Sequence, residues 1–264
     1  MRGTTVELSH EEYRTAWQVL GLGTRHWNLD LPGLPNELTE QEQRTQADSI
    51  REDLRARGLA DRRGMAPDVE DALRLLAQPV CEINGWVRAG ATQVRLLATS
   101  RGEWAALAML DERRLLVRTG PASELCTAVA RQLPDHPAGP GASVSVPSEL
   151  LDQPANGGQP GLTGEQLENR LTRAGVKPGD ARSFAAMLRG PKPSAGKFGA
   201  ARRDRNGKRH SAGAALVYLA TERGGHTLQP LRGPDGTAWT TLAPATLTQL
   251  AQRIDQLLAG IRIG

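Results

Sequence analysis

The chain has 264 residues and a formal net charge of +4, with ordinary apolar and charged content but few aromatic residues. The polar, acidic N-terminus and the lack of a long apolar run argue against a signal peptide and a membrane-spanning helix. The two cysteines, Cys81 and Cys126, lie far apart, which is typical of buried thiols in a reducing compartment. We therefore expect a soluble protein of the cytoplasm.

The first half of the chain opens with helical segments. A short strand runs into a helix over Val6–Trp17, with Ser9 as the N-cap and Glu12 three residues later. A polar helix follows in TEQEQRTQADSIREDLRARG. A third helix is predicted in Gly64–Pro79, because one proline occupies its first turn and another follows its last turn.

The rest of the first half is rich in strand signals. Four short apolar runs are separated by three turn signals. These signals lie at Ala89–Thr92, Arg101–Gly102 and Asp111–Glu112. An amphipathic helix then closes this half, because Leu125, Val129 and Leu133 recur every four residues.

The second half repeats this order of elements. Val144–Gln153 is again a strand that leads into a helix, with Ser148 as the cap, and a polar helix follows in TGEQLENRLTRAG. Gly175–Pro191 matches the proline-bounded helix of the first half. The β-rich runs that come next are KFGAARRDR, GAALVYLATE, HTLQPLRG and TAWTTLA. The closing amphipathic helix is marked by Leu247, Leu250, Ile254, Leu257 and Ile261.

This internal repeat predicts the fold class. Two small sheets with one bare face each can pair across a pseudo-twofold axis, so we expect an α+β fold with a central antiparallel sheet and flanking helical bundles. Residues 1–136 form the first half and residues 137–264 the second, and the Gly/Pro-rich Pro134–Ala142 joins them into one domain. A second spacer, Asp152–Gly164, should be solvent-exposed and poorly ordered.

No catalytic or metal-binding motif is evident in the sequence. GLGTRH follows a helix and lacks the third glycine of a phosphate loop, so Gly21 is better explained as the end of a helix. The five histidines lie in separate elements, and no C-x-x-C or paired histidine suggests zinc. We therefore expect a protein that is not an enzyme and that binds neither a metal ion nor a cofactor.

The most strongly charged segment is KFGAARRDRNGKRH, Lys197–His210, in which six basic side chains surround one acid, Asp204. The rest of the chain is close to neutral, so the high pI of about 9.5 comes from this one element. Asn206-Gly207 is a strong hairpin signal and predicts a projecting two-stranded element with a type I′ turn.

A two-residue turn at that place would fix the register of the hairpin. Asp204 would neutralise Arg209 on one face, and the other face would present Arg203, Arg205 and Lys208. Such a cluster can bind nucleic acid, steer a protein partner or prevent a strand edge from pairing. We favour partner contact or solubility, because so few cations with little aromatic surface nearby give only weak nucleic-acid binding. A nucleic-acid-binding protein that acts through this hairpin is the alternative.

Two strands, EWAALAML and ALVYLA, are apolar in both of their alternating registers. Such strands either are buried on both faces of a sheet or leave an apolar patch open to a partner. Core packing is enough to explain each of these apolar residues taken singly. The alternative is that the apolar residues of these strands form an exposed patch that docks a partner. The candidate partner-binding residues are Trp104, Leu107, Met109, Leu216 and Tyr218, together with the hairpin residues Arg203, Arg205 and Lys208.

Three stretches resemble the EspG family of type VII (ESX) secretion-associated proteins of actinobacteria. They are VELSHEEYRTAWQVLGLG, TQVRLLATSRGEWAALAML and GKFGAARRDRNGKR, and the Phe-Gly strand before a charged turn is the most specific feature. The resemblance implies a cytosolic chaperone that binds PE–PPE heterodimers, keeps these helical substrates soluble and directs them to the secretion machine. It also implies a central antiparallel sheet, two pseudo-symmetric halves, and client contacts through the sheet face and the C-terminal helical part.

Two features depart from that family. Mycobacterial members can have a long, substrate-engaging loop between the first two strands of the sheet, whereas the connection here is only Ala89–Thr92. PE–PPE pairs are chiefly mycobacterial, so a related helical secreted protein can be the client instead. We expect neither nucleic-acid binding nor membrane insertion, and the sequence leaves open whether the empty chain forms a homodimer.

Overall fold

The computed structural model describes residues 3–31, 40–151, 164–233 and 235–263. The predicted spacer Asp152–Gly164 lies outside these residues, except for Gly164, which begins a helix. The strands are β1 (Thr5–Ser9), β2 (Cys81–Ala89), β3 (Thr92–Arg101), β4 (Trp104–Leu110), β5 (Arg114–Pro121), β6 (Val144–Pro147), β7 (Ser194–Arg203), β8 (Arg209–Ser211), β9 (Leu216–Thr221), β10 (Gly224–Arg232) and β11 (Ala238–Pro244). The α-helices are α1 (His10–Val19), α2 (Glu40–Ala56), α3 (Pro67–Ala77), α4 (Leu125–Ala130), α5 (Gly164–Arg173), α6 (Pro178–Met187) and α7 (Leu247–Ala259).

The strands form one sheet with the order β1-β5-β4-β3-β2-β7-β9-β10-β11-β6, and β8 is attached to β7. Every pair of neighbouring strands is antiparallel. The order is palindromic, because each half places its first strand at the outer edge and its second strand at the centre. The halves meet where β2 pairs with β7 along its whole length, from Ala89–Ser194 to Cys81–Arg202. The predicted α+β fold with a central antiparallel sheet is confirmed.

Local sequence explains where several helices begin. Ser9 caps α1: its hydroxyl accepts a hydrogen bond from Glu12 N at 3.1 Å, and the Glu12 carboxylate accepts one from Ser9 N at 2.7 Å. Thr246 and Gln249 form the same reciprocal box at α7. The prediction for Ser148 is wrong, because a short 3₁₀ turn follows β6 and the Ser148 hydroxyl instead bonds Thr240 Oγ1 at 2.8 Å.

Helices cover both faces of the sheet. On one face, which we call the bundle face, α1, α2 and α3 pack on the outer strands of the first half around Leu8 and Leu115. On the same face, α5 and α6 pack over the outer strands of the second half around Val146 and Leu242. On the opposite face, which we call the helix-pair face, α4 and α7 lie over the centre of the sheet. The bundle face is therefore covered at its two ends, and the helix-pair face at its centre.

Candidate functional site

The charged segment forms a hairpin, but its register differs by one residue from the predicted one. Arg203 pairs with Arg209, so five residues, 204–208, lie between them. Asp204 and Lys208 form one more pair, which leaves a loop of three residues, 205–207. Gly207 N donates to Asp204 O and Asp204 N donates to Lys208 O, both at 3.0 Å. The loop has one residue with a positive φ, Gly207 at +79°. It is a type I turn closed by a glycine bulge, and the predicted type I′ turn is wrong.

Asp204 organises this loop. One carboxylate oxygen accepts hydrogen bonds from the backbone N–H groups of Asn206 and Lys208, each 2.9 Å away. The other oxygen lies 2.8 Å from His210 Nε2. The hydrogen bond with His210 is the main cause that lowers the pKa of Asp204. Asp204 therefore binds groups within its own turn, and the predicted pairing with Arg209 does not form.

The hairpin does not project from the sheet as a free two-stranded element, in contrast to the prediction. β7 pairs with β2 as far as Arg202, and Arg203 N still donates to Val80 O at 2.8 Å. Only the loop after Arg203 extends beyond the neighbouring strands. The side chains of Arg203, Arg205 and Lys208 are exposed there. We call these three residues the basic rim.

A buried carboxylate anchors the hairpin to the centre of the sheet. Glu82 of β2 is 2% exposed and accepts hydrogen bonds from Arg209 Nε at 2.8 Å and from Nη2 at 2.6 Å. Asn84 Nδ2 donates to the same oxygen at 3.3 Å, and His26 Nε2 lies 3.4 Å from it. Burial raises the pKa of Glu82, but the neighbouring His26 and Arg209 outweigh burial and lower the pKa to about 2. Glu82 therefore stays charged at neutral pH.

The apolar strand β4 packs against helices on both faces of the sheet. Leu107 is 4% exposed and lies in the core beneath α4, so it is a packing residue and not part of an open patch. Trp104 packs against the core of the first helix bundle and keeps partial exposure. Met109 is also half-buried, but its place in the register puts it on the helix-pair face.

Strand β9 shows which of its two apolar registers is open. Leu216 and Tyr218 are fully buried beneath α7 on the helix-pair face. In this structure α7 therefore covers both of these predicted partner-contact residues. Their neighbours Val217 and Leu219 point to the bundle face, remain partly exposed and belong to none of the three core clusters. The sequence candidates Leu216 and Tyr218 thus lie in the covered register, and Val217 and Leu219 lie in the open one.

Val217 and Leu219 belong to a strip at the centre of the bundle face. Trp86 of β2, Lys197 of β7 and Val217 of β9 are paired in one row across three strands, and Leu219 lies in the next row. Lys197 is exposed and the three apolar residues are half-buried. The first-half bundle lies on one side of the strip, and α5 and α6 lie on the other. We call these four residues the central trough, an apolar surface with one cation between two helical walls.

Burial perturbs several other titratable groups. It raises the pKa of Tyr13, that of Tyr218 to about 12 and that of Cys126 to about 11. Both cysteines are free and half-buried. Within the described part of the chain, no group of three or more His, Cys, Asp or Glu side chains could hold a metal ion. No described helix is both long enough and apolar enough to cross a membrane.

Comparison with known proteins relates this arrangement to one family. The family model described as the EspG family matches residues 9–256. The fold is similar to a solved chain, the type VII secretion system chaperone EspG5 of Mycobacterium tuberculosis in complex with a PE25–PPE41 dimer, with a TM-score of 0.72. Sequence identity to that chain is 14%, and the match covers 99% of this chain and 98% of that one. No curated protein matches the chain.

Proposed function

Because the chain belongs to the EspG family, we propose that it is a substrate-specific chaperone of a type VII (ESX) secretion system in the cytoplasm. It binds PE–PPE-like helical secretion substrates, keeps them soluble and directs them to the secretion machine. The observation that carries this proposal is the family match over residues 9–256, which spans both halves of the sheet. EspG5, whose fold is similar, is in complex with a PE25–PPE41 dimer in its solved structure, and this complex supports clients of this kind.

We further propose that the client docks in the central trough. A helical bundle that inserts one end between the two helix layers would cover Trp86, Val217 and Leu219. Burial of these apolar side chains supplies the affinity, because they are the part of this surface that gains most from leaving water. The basic rim mainly speeds and orients association, since exposed charges act on the encounter more than on the final affinity.

Trp104 and Met109, two of the sequence candidates, lie on opposite faces of the sheet. Trp104 lies on the bundle face, the same face as the central trough, and keeps partial exposure, so we propose that it lies at the margin of the client. Met109 is on the opposite face and has no role in the proposal. Leu107, Leu216 and Tyr218 support the trough from below as core residues.

This function requires binding and no chemical step. A chaperone of this type protects its client by covering apolar surface that would otherwise aggregate. We therefore propose that the chain is not an enzyme and needs neither a metal ion nor a cofactor. Family membership supports a non-enzymatic role.

The proposal is tested by co-purification with matched variants. A tagged chain is expressed in its native host, and the proteins that co-purify are identified by mass spectrometry. We expect helical secretion substrates with the wild type and their loss when Val217 and Leu219 are both replaced by Asp. Leu116→Asp is the control, because Leu116 is also half-buried but lies on the helix-pair face. Recovery of nucleic acid in place of helical proteins would contradict the proposal.

A further inference from the structure

The strand that pairs with β7 on the edge opposite β2 is interrupted. β8 and β9 pair with the same edge of β7 and run in the same direction, so they are two parts of one broken strand. Residues 212–215 lie between them, opposite only Gly199 and Ala200 of β7. The broken strand formed by β8 and β9 therefore contains two residues more than a continuous strand needs, and these residues bulge out of the sheet.

The next strand does not close this interruption. β9 pairs with β10 only as far as Val217–Leu228, although β10 continues to Arg232. Among the described residues, the edge of β10 beyond Leu228 has no strand partner on this side. It faces β8 and the bulge at 212–215 across a cleft of about 830 Å³, which both segments line.

The first half of the sheet is built without such an interruption. There, a turn of two residues, Gly90 and Ala91, connects β2 and β3. The strand that corresponds to β10 is β4, and it pairs with β3 along its whole length, Trp104–Leu110. Folding of a half-sheet of this kind therefore does not require the cleft, and the extra residues of the second half need another explanation.

The lining of the cleft combines apolar and basic groups. Leu231 is 50% exposed on the helix-pair face of β10, where it pairs with Trp239 of β11, which is 38% exposed. Leu257 of α7 lines the same side. Arg232 is exposed on the other face of β10, and Arg262 is exposed beyond the end of α7. The lining residues of the described chain include no Asp or Glu.

We propose that this cleft binds an extended peptide segment of a partner protein, in which apolar residues alternate with acidic residues. Two facing strand edges accept an added strand through backbone hydrogen bonds, although Pro230 offers a carbonyl and no N–H. Successive side chains of the added strand point to opposite faces of the sheet. Its apolar residues then meet Leu231, and its acidic residues meet Arg232. The proposal does not rest on the chaperone function, because the cleft and the central trough share no residue.

Charge complementarity selects the chemistry of the peptide. A lining with exposed Arg232 and Arg262 and no described acid attracts carboxylates and repels ammonium groups. The basic rim, on the loop next to β8, adds to the same positive field. A peptide with Lys in place of Asp or Glu would bring further positive charge into this lining.

Two short labelled peptides test the proposal by fluorescence anisotropy with the full chain. One alternates Val with Glu, and the other alternates Val with Lys. We expect the Val–Glu peptide to bind about tenfold more tightly than the Val–Lys peptide, with an affinity that falls as salt is raised. Amide hydrogen exchange should slow in residues 209–214 and 229–232 when the Val–Glu peptide is bound.

Exposed positions provide variants that should not disturb folding. Replacing Arg232 and Arg262 by Ser should weaken the binding of the Val–Glu peptide about fivefold. The matched control replaces Arg113 and Arg173, which are exposed elsewhere, and should leave the affinity unchanged. A Cβ atom at Gly213 would meet no atom within 4 Å. A side chain at this position should therefore leave the fold intact. Gly213→Glu should weaken binding of the Val–Glu peptide because it adds a like charge, and Gly213→Lys should strengthen this binding because it adds an opposite charge.

Three outcomes would overturn the proposal. The first is equal affinity for the two peptides, and the second is no binding of the Val–Glu peptide at about 1 mM. The third is slowed exchange in the strands of the central trough with no change at the cleft. Each of these results would leave client docking in the trough unaffected, because the co-purification assay measures that interaction separately.

Discussion

Arg209 and Glu82, which are 127 residues apart in the sequence, meet at a single oxygen atom. Arg209 Nε and Nη2 both donate to Glu82 Oε1, at 2.8 and 2.6 Å, whereas Oε2 accepts no hydrogen bond from the residues that the structure describes. Glu82 belongs to the first half of the sheet and Arg209 to the second, and β7 lies between their strands. This ion pair therefore bridges three strands and links the charged hairpin to the other half of the sheet.

The first prediction concerns the loss of this carboxylate. Glu82→Gln should lower the free energy of unfolding at pH 7 by about 1.5–3 kcal/mol, because a hydrogen-bonded buried charge is removed. The pKa of Glu82 is lowered to about 2 in the folded chain. The stabilisation is therefore complete above the ordinary glutamate pKa of about 4.3 and is lost as the pH falls towards 2. Urea unfolding should show a smaller difference between wild type and variant at pH 3 than at pH 7.

Glu7→Gln is the matched control for this experiment. Glu7 pairs with Arg114 at 2.8 Å, but both side chains are about half exposed. Water and salt screen such a pair, so its loss should change unfolding little at either pH. A Glu82→Gln difference that is the same at pH 3 and pH 7 would contradict the assigned role of the charge.

The second prediction separates the open and covered registers of β9. Val217→Ala should weaken client binding about tenfold and change the stability of the chain little, because Val217 is partly exposed. Leu216→Ala should lower the free energy of unfolding by about 2–5 kcal/mol, because Leu216 is fully buried beneath α7. Below its unfolding temperature, the Leu216 variant should bind the client with wild-type affinity. Calorimetric titration and urea unfolding measure the two effects, and a reversed pattern would refute the trough as the docking site.

The third prediction concerns the basic rim. Replacing Arg203, Arg205 and Lys208 by Ser should slow client association a few-fold and flatten its salt dependence, while the dissociation rate changes little. The fold should persist, because all three side chains are exposed. Stopped-flow binding over a range of salt concentrations measures this effect. Tight DNA binding by the wild type near physiological salt, abolished by the same substitutions, would instead support the nucleic-acid alternative.

The fourth prediction concerns the centre of the sheet. A Cβ atom at Gly85 would lie 1.8 Å from the backbone oxygen of Lys197, and the φ of Gly85 is +158°. Gly85→Ala should therefore separate β2 from β7 and lower the free energy of unfolding by more than about 3 kcal/mol. Gly179→Ala is the control, because a Cβ atom there meets no atom within 4 Å and the residue is helical. The control should be neutral or slightly stabilising in urea unfolding, and equal effects of the two substitutions would contradict this account.

The fifth prediction treats the two halves as one folding unit. Residues 1–136 and 137–264 each contribute to the core on the helix-pair face, where Leu96 and Val129 pack in the same cluster as Phe198 and Ile254. Each half alone should therefore fail to fold, and the whole chain should unfold in a single cooperative transition. Circular dichroism during heating tests both statements. A cooperative melt from either half alone would show that the halves are separate domains.

The fold could be predicted because its signals are local and repeated. Ser9 and Glu12 lie within one turn, and their capping box marks the start of α1 without help from the rest of the chain. The repeat of helices and strands then indicates two similar halves. The register of the hairpin could not be predicted from such local signals, because Asn206-Gly207 favours a two-residue turn. The Asp204 carboxylate bonds the N–H groups of Asn206 and Lys208 and thereby stabilises a longer loop.

The proposed docking site could be predicted only in part, because its position depends on contacts between distant residues. The two apolar registers of ALVYLA are equivalent in the sequence, and only the docking of α7 decides that Tyr218 is covered while Leu219 stays open. In the sequence Lys197 belongs to the charged hairpin segment, but strand pairing places it beside Trp86. The pairing of Arg209 with Glu82 is equally invisible in the sequence, because no local pattern joins two residues so far apart.

The central position of β2 has a consequence for the synthesis of the chain. Its partner on one side, β3, follows directly, but β7 emerges from the ribosome only after roughly 110 further residues, about 5–20 s later at ordinary rates of translation. During this interval the nascent first half exposes the edge of β2 that will pair with β7. An unpaired central strand is a template for association with other chains. The growing polypeptide thus passes through a period in which it needs the same protection that we propose it gives to its clients.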